Sequence, residues 1–369
     1  MLDGEDQRYS HQLHRRCQPR DTPQGLTMTR RPDSAGTVPL GRGGLRVARY
    51  GFGGAPIGGL FASVHDEQAF ACLTTAWDAG IRYFDTAPHY GAGTSERRIG
   101  SFLAGKPRGE WVLSTKVGRL VETDDRGPSS GHDADTTGFV GERAVRRVFD
   151  FSRDGIRRSF DASLARLGVD HIDILFLHDP DDHWRQAIDE AWPALARLRD
   201  EGAVRSVGAG MNQSAMLTRF VRETDMDVVL LAGRYTLLDQ QALDDLLPAC
   251  LERRASVVLG GVFNSGVLAD PARNVTYDYG LAPPEVIARA KQIAAICQRH
   301  GIDPPAVALQ FPLAHPAITT VLVGARSSQE VVQNSRHARV PIPAQLWSEL
   351  RSLDLLRIDA PTPGHDPKA

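Results

Sequence analysis

Four polar residues stand at or just beyond the ends of apolar runs in the first half of the chain. Asp85 and Tyr90 lie in Phe84-Asp-Thr-Ala-Pro-His-Tyr-Gly91, Lys116 closes Trp111-Val-Leu-Ser-Thr-Lys116, and His178 follows Ile172-Asp-Ile-Leu-Phe-Leu177. Taken singly, each has a structural explanation: Asp85 as a turn or helix cap, Tyr90 as loop packing, Lys116 as a snorkelling edge residue, His178 as a satisfied core histidine. Taken together they describe an acid–base device. A lysine that closes an apolar strand is expensive to bury unless paired, and Asp85, one strand earlier, is its partner. An ammonium beside a tyrosine favours the phenolate, so Tyr90 is expected to titrate below its ordinary value of about 10. Each unit of such a shift corresponds to about 1.4 kcal/mol and a tenfold larger phenolate fraction. On that reasoning Tyr90 is a usable general acid or base.

For residues so far apart in sequence to meet, the elements carrying them must converge. From Leu45 the chain alternates strand-like runs, at Val47–Phe52, Ile81–Phe84, Trp111–Lys116, Ile172–Leu177, Val204–Gly208, Val228–Leu231, Ser256–Leu259 and Thr320–Val323, with helix-like segments near 66–79, 95–103, 152–167, 184–200, 213–223, 240–253, 284–300 and 328–337. Eight such units in about 320 residues predict an α/β fold, a (β/α)8 TIM barrel with extended loops on its C-terminal rim. In that fold polar residues at the ends of different strands meet at one rim. Two irregular stretches, 119–150 and 261–283, follow strand-like runs and belong on the same rim. Residues 343–355 read as one further helix. The spacing predicts a single barrel domain over 38–358, a disordered tail over 1–37 and a flexible tail over 359–369; Met28 offers an alternative start shortly before the ordered pattern.

The 369 residues are 41% apolar and 24% charged, with a formal charge of −2. That balance favours a small-molecule ligand over nucleic acid or a membrane surface. No apolar run is long enough to span a bilayer and no secretory signal leads the chain, so a soluble cytoplasmic protein is expected. Cys17, Cys72, Cys250 and Cys297 lie far apart without metal-site or disulfide spacing. His178-Asp-Pro-Asp-Asp-His183 has the composition of a metal site, but Pro180 breaks the local helix and no His-Glu-x-x-His spacing occurs, so no metal is expected. Asp179, His183 and Trp184 are read instead as rim surface or sugar contacts, with Asn264 and the 119–150 insertion as further candidates for hydroxyl recognition.

The four residues, in FDTAPHYG, LSTKVGR and FLHD, resemble the Asp-Tyr-Lys-His tetrad of the aldo-keto reductases, (β/α)8 barrels that use NADPH or NADH, and the resemblance runs from about Leu40 to Leu356. The runs FDTAPHYG, RDGIRRSFDASLARLG, HDPDDHW, GMNQS and LQFPLAHP are most similar to the family's branch of D-threo-aldose (L-fucose) and pyridoxal 4-dehydrogenases. The resemblance implies that Tyr90 exchanges the proton with the substrate oxygen, Lys116 tunes it, Asp85 holds Lys116, and His178 orients the oxygen. It implies an NAD(P)-dependent oxidoreductase acting on a sugar or aldehyde, with oxidation of the C1 hydroxyl of a cyclic aldose to the lactone as the leading reaction. The alternatives are oxidation of pyridoxal, general aldehyde or ketone reduction, and, in a different class, a cofactor-binding regulatory subunit; retention of all four tetrad residues argues against the last.

The run Gly51–Gly59 is glycine-rich, but its spacing is not that of a dinucleotide fingerprint. By resemblance it is the first barrel strand and loop, with Gly54 and Ala55 near the nicotinamide. Asn212 corresponds to the residue that holds the carboxamide, although a helix N-cap explains it equally well. Gly260, Gly261, Val262 and Phe263 flank the nicotinamide. Gly324, Ala325, Arg326, Ser327, Glu330 and Asn334, at a helix N-terminus suited to phosphate, would hold the adenosine half. The sequence departs from the family at Ala232, where many members have glutamine, and at Gly260, where many have a tyrosine stacked on the nicotinamide; Phe263 and Tyr235 are candidates to fill that space. Gly324 and Glu330 replace two basic residues of NADPH-specific relatives, which leaves Arg326 as the main cation and favours NAD over NADP.

Overall fold

The computed structural model describes residues 36–123, 138–140 and 145–364. The expected tail over 1–35, Cys17 and residues 365–369 lie outside the described residues. An antiparallel hairpin, β1 (Thr37–Leu40) and β2 (Leu45–Ala48), opens the fold. Eight parallel strands then close a barrel in chain order: β3 (Tyr50–Gly53), β4 (Tyr83–Asp85), β5 (Val112–Val117), β8 (Ile172–His178), β9 (Val204–Met211), β10 (Val228–Ala232), β11 (Ser256–Gly260) and β14 (Ile318–Gly324). Two rim hairpins interrupt them, β6 (Arg119–Thr123) with β7 (Val145–Phe149) and β12 (Thr276–Tyr277) with β13 (Gly280–Leu281).

The outer layer comprises α1 (Asp66–Asp78), α2 (Thr94–Leu103), α3 (Arg153–Leu167), α4 (Trp184–Gln186) running through a π turn into α5 (Trp192–Asp200), α6 (Ser214–Glu223), α7 (Leu246–Arg253), α8 (Pro284–Arg299), α9 (Pro304–Gln310), α10 (Ser328–His337) and α11 (Ala344–Ser352). The π turn falls where Pro193 removes a helical amide. The caps follow from sequence: Ser152 accepts from the Gly155 amide at the start of α3, and Gly168 (φ 66°) ends it.

The barrel is filled rather than hollow. Tyr83, Ile174, Phe176, Val228, Leu230, Val258 and Leu322 pack inside it against Val38, Leu40, Leu45 and Val47, so the β1–β2 hairpin plugs the N-terminal end. Each fully buried aliphatic or Phe there contributes on the order of 1.5–3 kcal/mol. The opposite end, where Asp85, Lys116 and His178 lie, stays open.

Several elements differ from the sequence reading. The run Val47–Phe52 is two strands, because the chain turns at Arg49, whose guanidinium donates to the carbonyls of Leu313, Ile318 and Thr319. Thr37 is already in β1, and the packed chain runs past 358: Ala360 and Thr362 are buried and accept from Arg351. Helix α9 is not among the helix-like segments of the sequence; it begins on two prolines, which fit a first helical turn, where the missing amide has no partner to lose. No described helix is long and apolar enough to cross a membrane.

Candidate active site

Asp85 ends β4, Lys116 lies near the end of β5 and His178 ends β8, so parallel pairing brings the three to one mouth. Lys116 Nζ donates to Asp85 Oδ2 and to the Thr86 carbonyl, each at 2.8 Å. Its remaining donor is left for Tyr90, whose ring centroid is 4.6 Å away. Behind them the network continues: Ser114 donates to Asp85 Oδ1 at 2.6 Å and takes a hydrogen bond from the Tyr83 hydroxyl at 3.0 Å.

Tyr90 is placed by main chain. Gly91 has φ 60°, and a Cβ there would lie 2.0 Å from the Gly58 carbonyl oxygen; a Cβ on Gly58 would in turn lie 2.9 Å from the Tyr90 carbonyl carbon. The first and second rim loops therefore touch backbone to backbone beneath the phenol, and only glycine allows it. A second tie runs from Thr86 through Ser95 to the Gly54 carbonyl, at 2.8 Å and 2.8 Å.

The electrostatics reverse one expectation. Burial pushes the Tyr90 phenol above its ordinary value; the Lys116 ammonium pulls it down by less, and Asp85 pushes it further up. The lowered value expected for Tyr90 is thus corrected, because desolvation of the phenolate outweighs the single cation. Burial works against the Lys116 ammonium too, but Asp85 and Tyr90 more than offset it, so Lys116 stays charged. His178 is driven well below 6.5 by burial and by Lys116, Arg119 and His89. It is therefore a neutral ring. Its Nε2 lies 3.6 Å from Asp179 Oδ2, and Nδ1 meets no hydrogen-bond partner among the described residues.

The rim gives partners to residues that the sequence reading names only as rim surface or sugar contact, Asp179, or only as part of the 119–150 insertion, Arg119, Phe139 and Arg147. Arg119, the first residue of the insertion, donates to Asp179 Oδ2 at 2.9 Å. Asp179, in a left-handed conformation (φ 47°), is pushed up to about 6 by burial. Arg147 donates to His89 Nδ1 at 2.9 Å. Phe139 stacks on Tyr90 (5.9 Å, 25°) and meets His89 edge-on (5.2 Å, 83°). Residues 138–140 are held by Phe61 N–H to the Gly138 carbonyl (2.8 Å) and Val140 N–H to the Gly59 carbonyl (3.0 Å).

Burial and Arg119, Arg147 and Lys116 press His89 down to about 2. His89 and His178 both lie below the unfolded value, so the folded state refuses protons that the unfolded chain accepts. Their stability contribution is complete above pH 6.5 and is lost as pH falls through it; Asp179, raised, opposes this in part. We expect urea unfolding to show a net loss of roughly 3 kcal/mol between pH 7 and pH 5, with a shallower decline for His89→Gln. A flat profile would contradict the assignment.

Two clefts open at the mouth. The first, of about 860 Å³, is lined by Gly54, Ala55, Phe61, Asp85, Tyr90, Asn212, Ala232, Arg234, Gly260, Gly261, Asn264, Asp278 and Tyr279. The second, of about 1950 Å³, is lined by Val262, Phe263, Gly324, Arg326, Glu330, Gln333, Asn334 and His337. Pro56, Leu60, Phe61, Gly261 and Gly324 border both, so one elongated ligand can occupy the two. Ser327 caps α10 by accepting from Glu330 N–H at 3.2 Å. Ala325 faces α1, its carbonyl 3.5 Å from Cys72 Sγ, and neither Ala325 nor Ser327 lines either of these two clefts. Tyr235 is fully buried against Phe311 and His315 and fills no part of the mouth. Trp184 packs on Phe220 (4.6 Å) beneath Arg219, and His183 stacks on Phe149 (5.1 Å), so neither lines these clefts as a sugar contact.

Residues 49–355 match the aldo/keto reductase family. The chain is 47% identical over 323 residues to a D-threo-aldose 1-dehydrogenase from Pseudomonas sp, covering 87% of this chain and 97% of that protein. It is 40% identical over 332 residues to a pyridoxal 4-dehydrogenase from Microbacterium luteolum, covering 86% and 97%. Among solved structures, the holo form of an aldo-keto reductase from Bacillus halodurans superposes with a TM-score of 0.66 at 25% identity, over 86% of this chain and 95% of that one.

Proposed function

Because the chain belongs to the aldo/keto reductase family and is an NAD(P)-dependent oxidoreductase of CH–OH and C=O groups, we propose that it oxidises the C1 hydroxyl of a cyclic aldose to the lactone. The observation that carries this choice is the 47% identity to a protein named D-threo-aldose 1-dehydrogenase. The polar walls of the first cleft, with Asn212, Arg234, Asn264 and Asp278 beside Tyr90, suit a polyhydroxylated ring.

The paired clefts fit a dinucleotide: Gly54, which lines the first cleft, lets its loop pack directly on the Asp85 carbonyl oxygen, from which a Cβ would lie 2.7 Å, and residues of α10 near its N-terminus border the second cleft as an anion seat. Bound NAD(P)+ supplies the acceptor for the hydride that leaves C1. Tyr90 takes the hydroxyl proton as the C–O bond becomes a carbonyl. Lys116 stabilises the phenolate, Asp85 and Thr86 fix Lys116, and the neutral His178 hydrogen-bonds the reacting oxygen without competing for its proton. Since Tyr90 is held above its ordinary value, oxidation in this reading accelerates with alkaline pH.

The test is NAD(P)H formation from L-fucose, D-arabinose, L-galactose and pyridoxal. Turnover of aldoses supports the reading and its absence removes it. Faster oxidation of pyridoxal would favour the second reading, which rests on the 40% identity to a pyridoxal 4-dehydrogenase.

We also propose NAD over NADP. The Glu330 carboxylate accepts from the Arg326 amide at 2.8 Å and lies 3.5 Å from its guanidinium, which offsets the cation a 2′-phosphate would need. Both side chains are partly solvent-exposed, so the effect is modest. Glu330→Gln is expected to raise kcat/KM for NADP+ by about three- to tenfold with little change for NAD+. A wild-type preference for NADP+ would overturn this.

A further inference from the structure

We propose that Tyr279, paired with Phe61, forms an aromatic roof over the substrate cleft and takes the C–H face of a pyranose ring; this rests on the aldose reading above. Tyr279 sits at the tip of the β12–β13 hairpin, where the two turn residues, Asp278 (φ 50°) and Tyr279 (φ 65°), are both left-handed. A two-residue turn of that kind prefers Asn-Gly, and a bulky aromatic in its second position is strained. Phe61 on the opposite loop is strained in the same way (φ 63°). The two rings lie 6.4 Å apart at 35°. Both remain exposed, at 41% for Phe61 and 56% for Tyr279, so neither recovers its backbone strain by packing into the core.

Their seats are nevertheless fixed. Tyr279 N–H donates to Ser265 Oγ at 3.0 Å, Asp278 accepts from Asn212 Nδ2 at 3.1 Å and from Arg234 Nη2 at 2.7 Å, and Phe61 N–H is bound to Gly138. Both rings line the cleft that holds Asp85 and Tyr90. Held aromatics above, with Arg234, Asn212, Asn264 and Asp278 around the walls, match the two surfaces of a sugar: a face of C–H bonds and an edge of hydroxyls. Tyr279 is thus a specificity residue that selects rings over open-chain substrates.

The experiment uses Tyr90→Phe protein loaded with NAD+, whose turnover is slowed roughly a thousandfold, titrated with L-fucose by calorimetry. Adding Tyr279→Gly should weaken binding roughly tenfold, near the upper end of an aromatic contact, whereas adding Tyr279→Phe should stay within about threefold. The glycine variant should also melt no lower, and by a degree or two higher, because glycine takes the left-handed turn freely. Equal affinity in the glycine variant, or no L-fucose binding to Tyr90→Phe, overturns the roof. Tyr279-dependent binding combined with no aldose turnover by the wild type leaves the roof standing and removes the dehydrogenase reading.

Discussion

Tyr90→Phe is expected to lower kcat for aldose oxidation roughly a thousandfold, within the range that a positioned acid–base group contributes, while leaving cofactor affinity within about twofold. The substitution removes one oxygen and keeps the ring that stacks on Phe139 and lies under the Lys116 ammonium. Single-turnover rates with fluorescence titration of the cofactor separate the two effects. In the wild type the rate should climb with pH through and beyond pH 9, because burial holds the phenol up, and that climb should vanish in the variant. Near-wild-type turnover by the phenylalanine protein would exclude Tyr90 as the proton acceptor.

The second large effect is expected at Lys116→Met. Lys116 is 1% exposed and Asp85 is 3% exposed, so removing the cation strands a buried carboxylate and should cost about 3–5 kcal/mol of stability as well as activity. The double variant Asp85→Asn/Lys116→Met should recover much of that stability, since neither charge remains, and none of the rate. Denaturant midpoints for the two single variants and the double variant test this; a double variant no more stable than Lys116→Met would show that the pair is not a unit. The folded Lys116 titrates above its unfolded value of 10.5, so the ammonium's contribution is intact below pH 10.5 and disappears only as pH rises through the folded value, while burial raises the Asp85 carboxyl and confines its protonation to the acid side. Between pH 7 and 9 these measurements are therefore free of its titration.

Much of this architecture could be read from the sequence because its signals are local. An acid, a lysine and a histidine at or near the ends of successive apolar runs become neighbours as soon as those runs pair in parallel, whatever the loops do. The hairpins carry no such signal. Arg119 meets Asp179 only because β6 leaves the barrel just after β5, and Phe139 reaches Tyr90 only through an isolated pairing with Leu60. Tyr277-Asp-Tyr-Gly280 reads as an ordinary turn until its backbone angles are known. The Tyr90 shift had the wrong sign for a related reason: a neighbouring charge can be inferred from motifs, but the depth of desolvation depends on everything packed above it. Tyr235 shows the converse, an aromatic near the right strand end whose side chain points into the core.

The contact between Gly58 and Gly91 bears on how such a protein can be altered. Tyr90 is located by two main chains pressed together, not by a side chain that substitution could trim or enlarge. Directed evolution of substrate range has little to adjust there, and single replacements at either glycine should be purged. Phe61, Arg119 and Tyr279 stand on separate loops that can be randomised while the proton-transfer group keeps its place. The fold thus separates the backbone contact that seats the proton-transfer group from the loops whose side chains border the mouth.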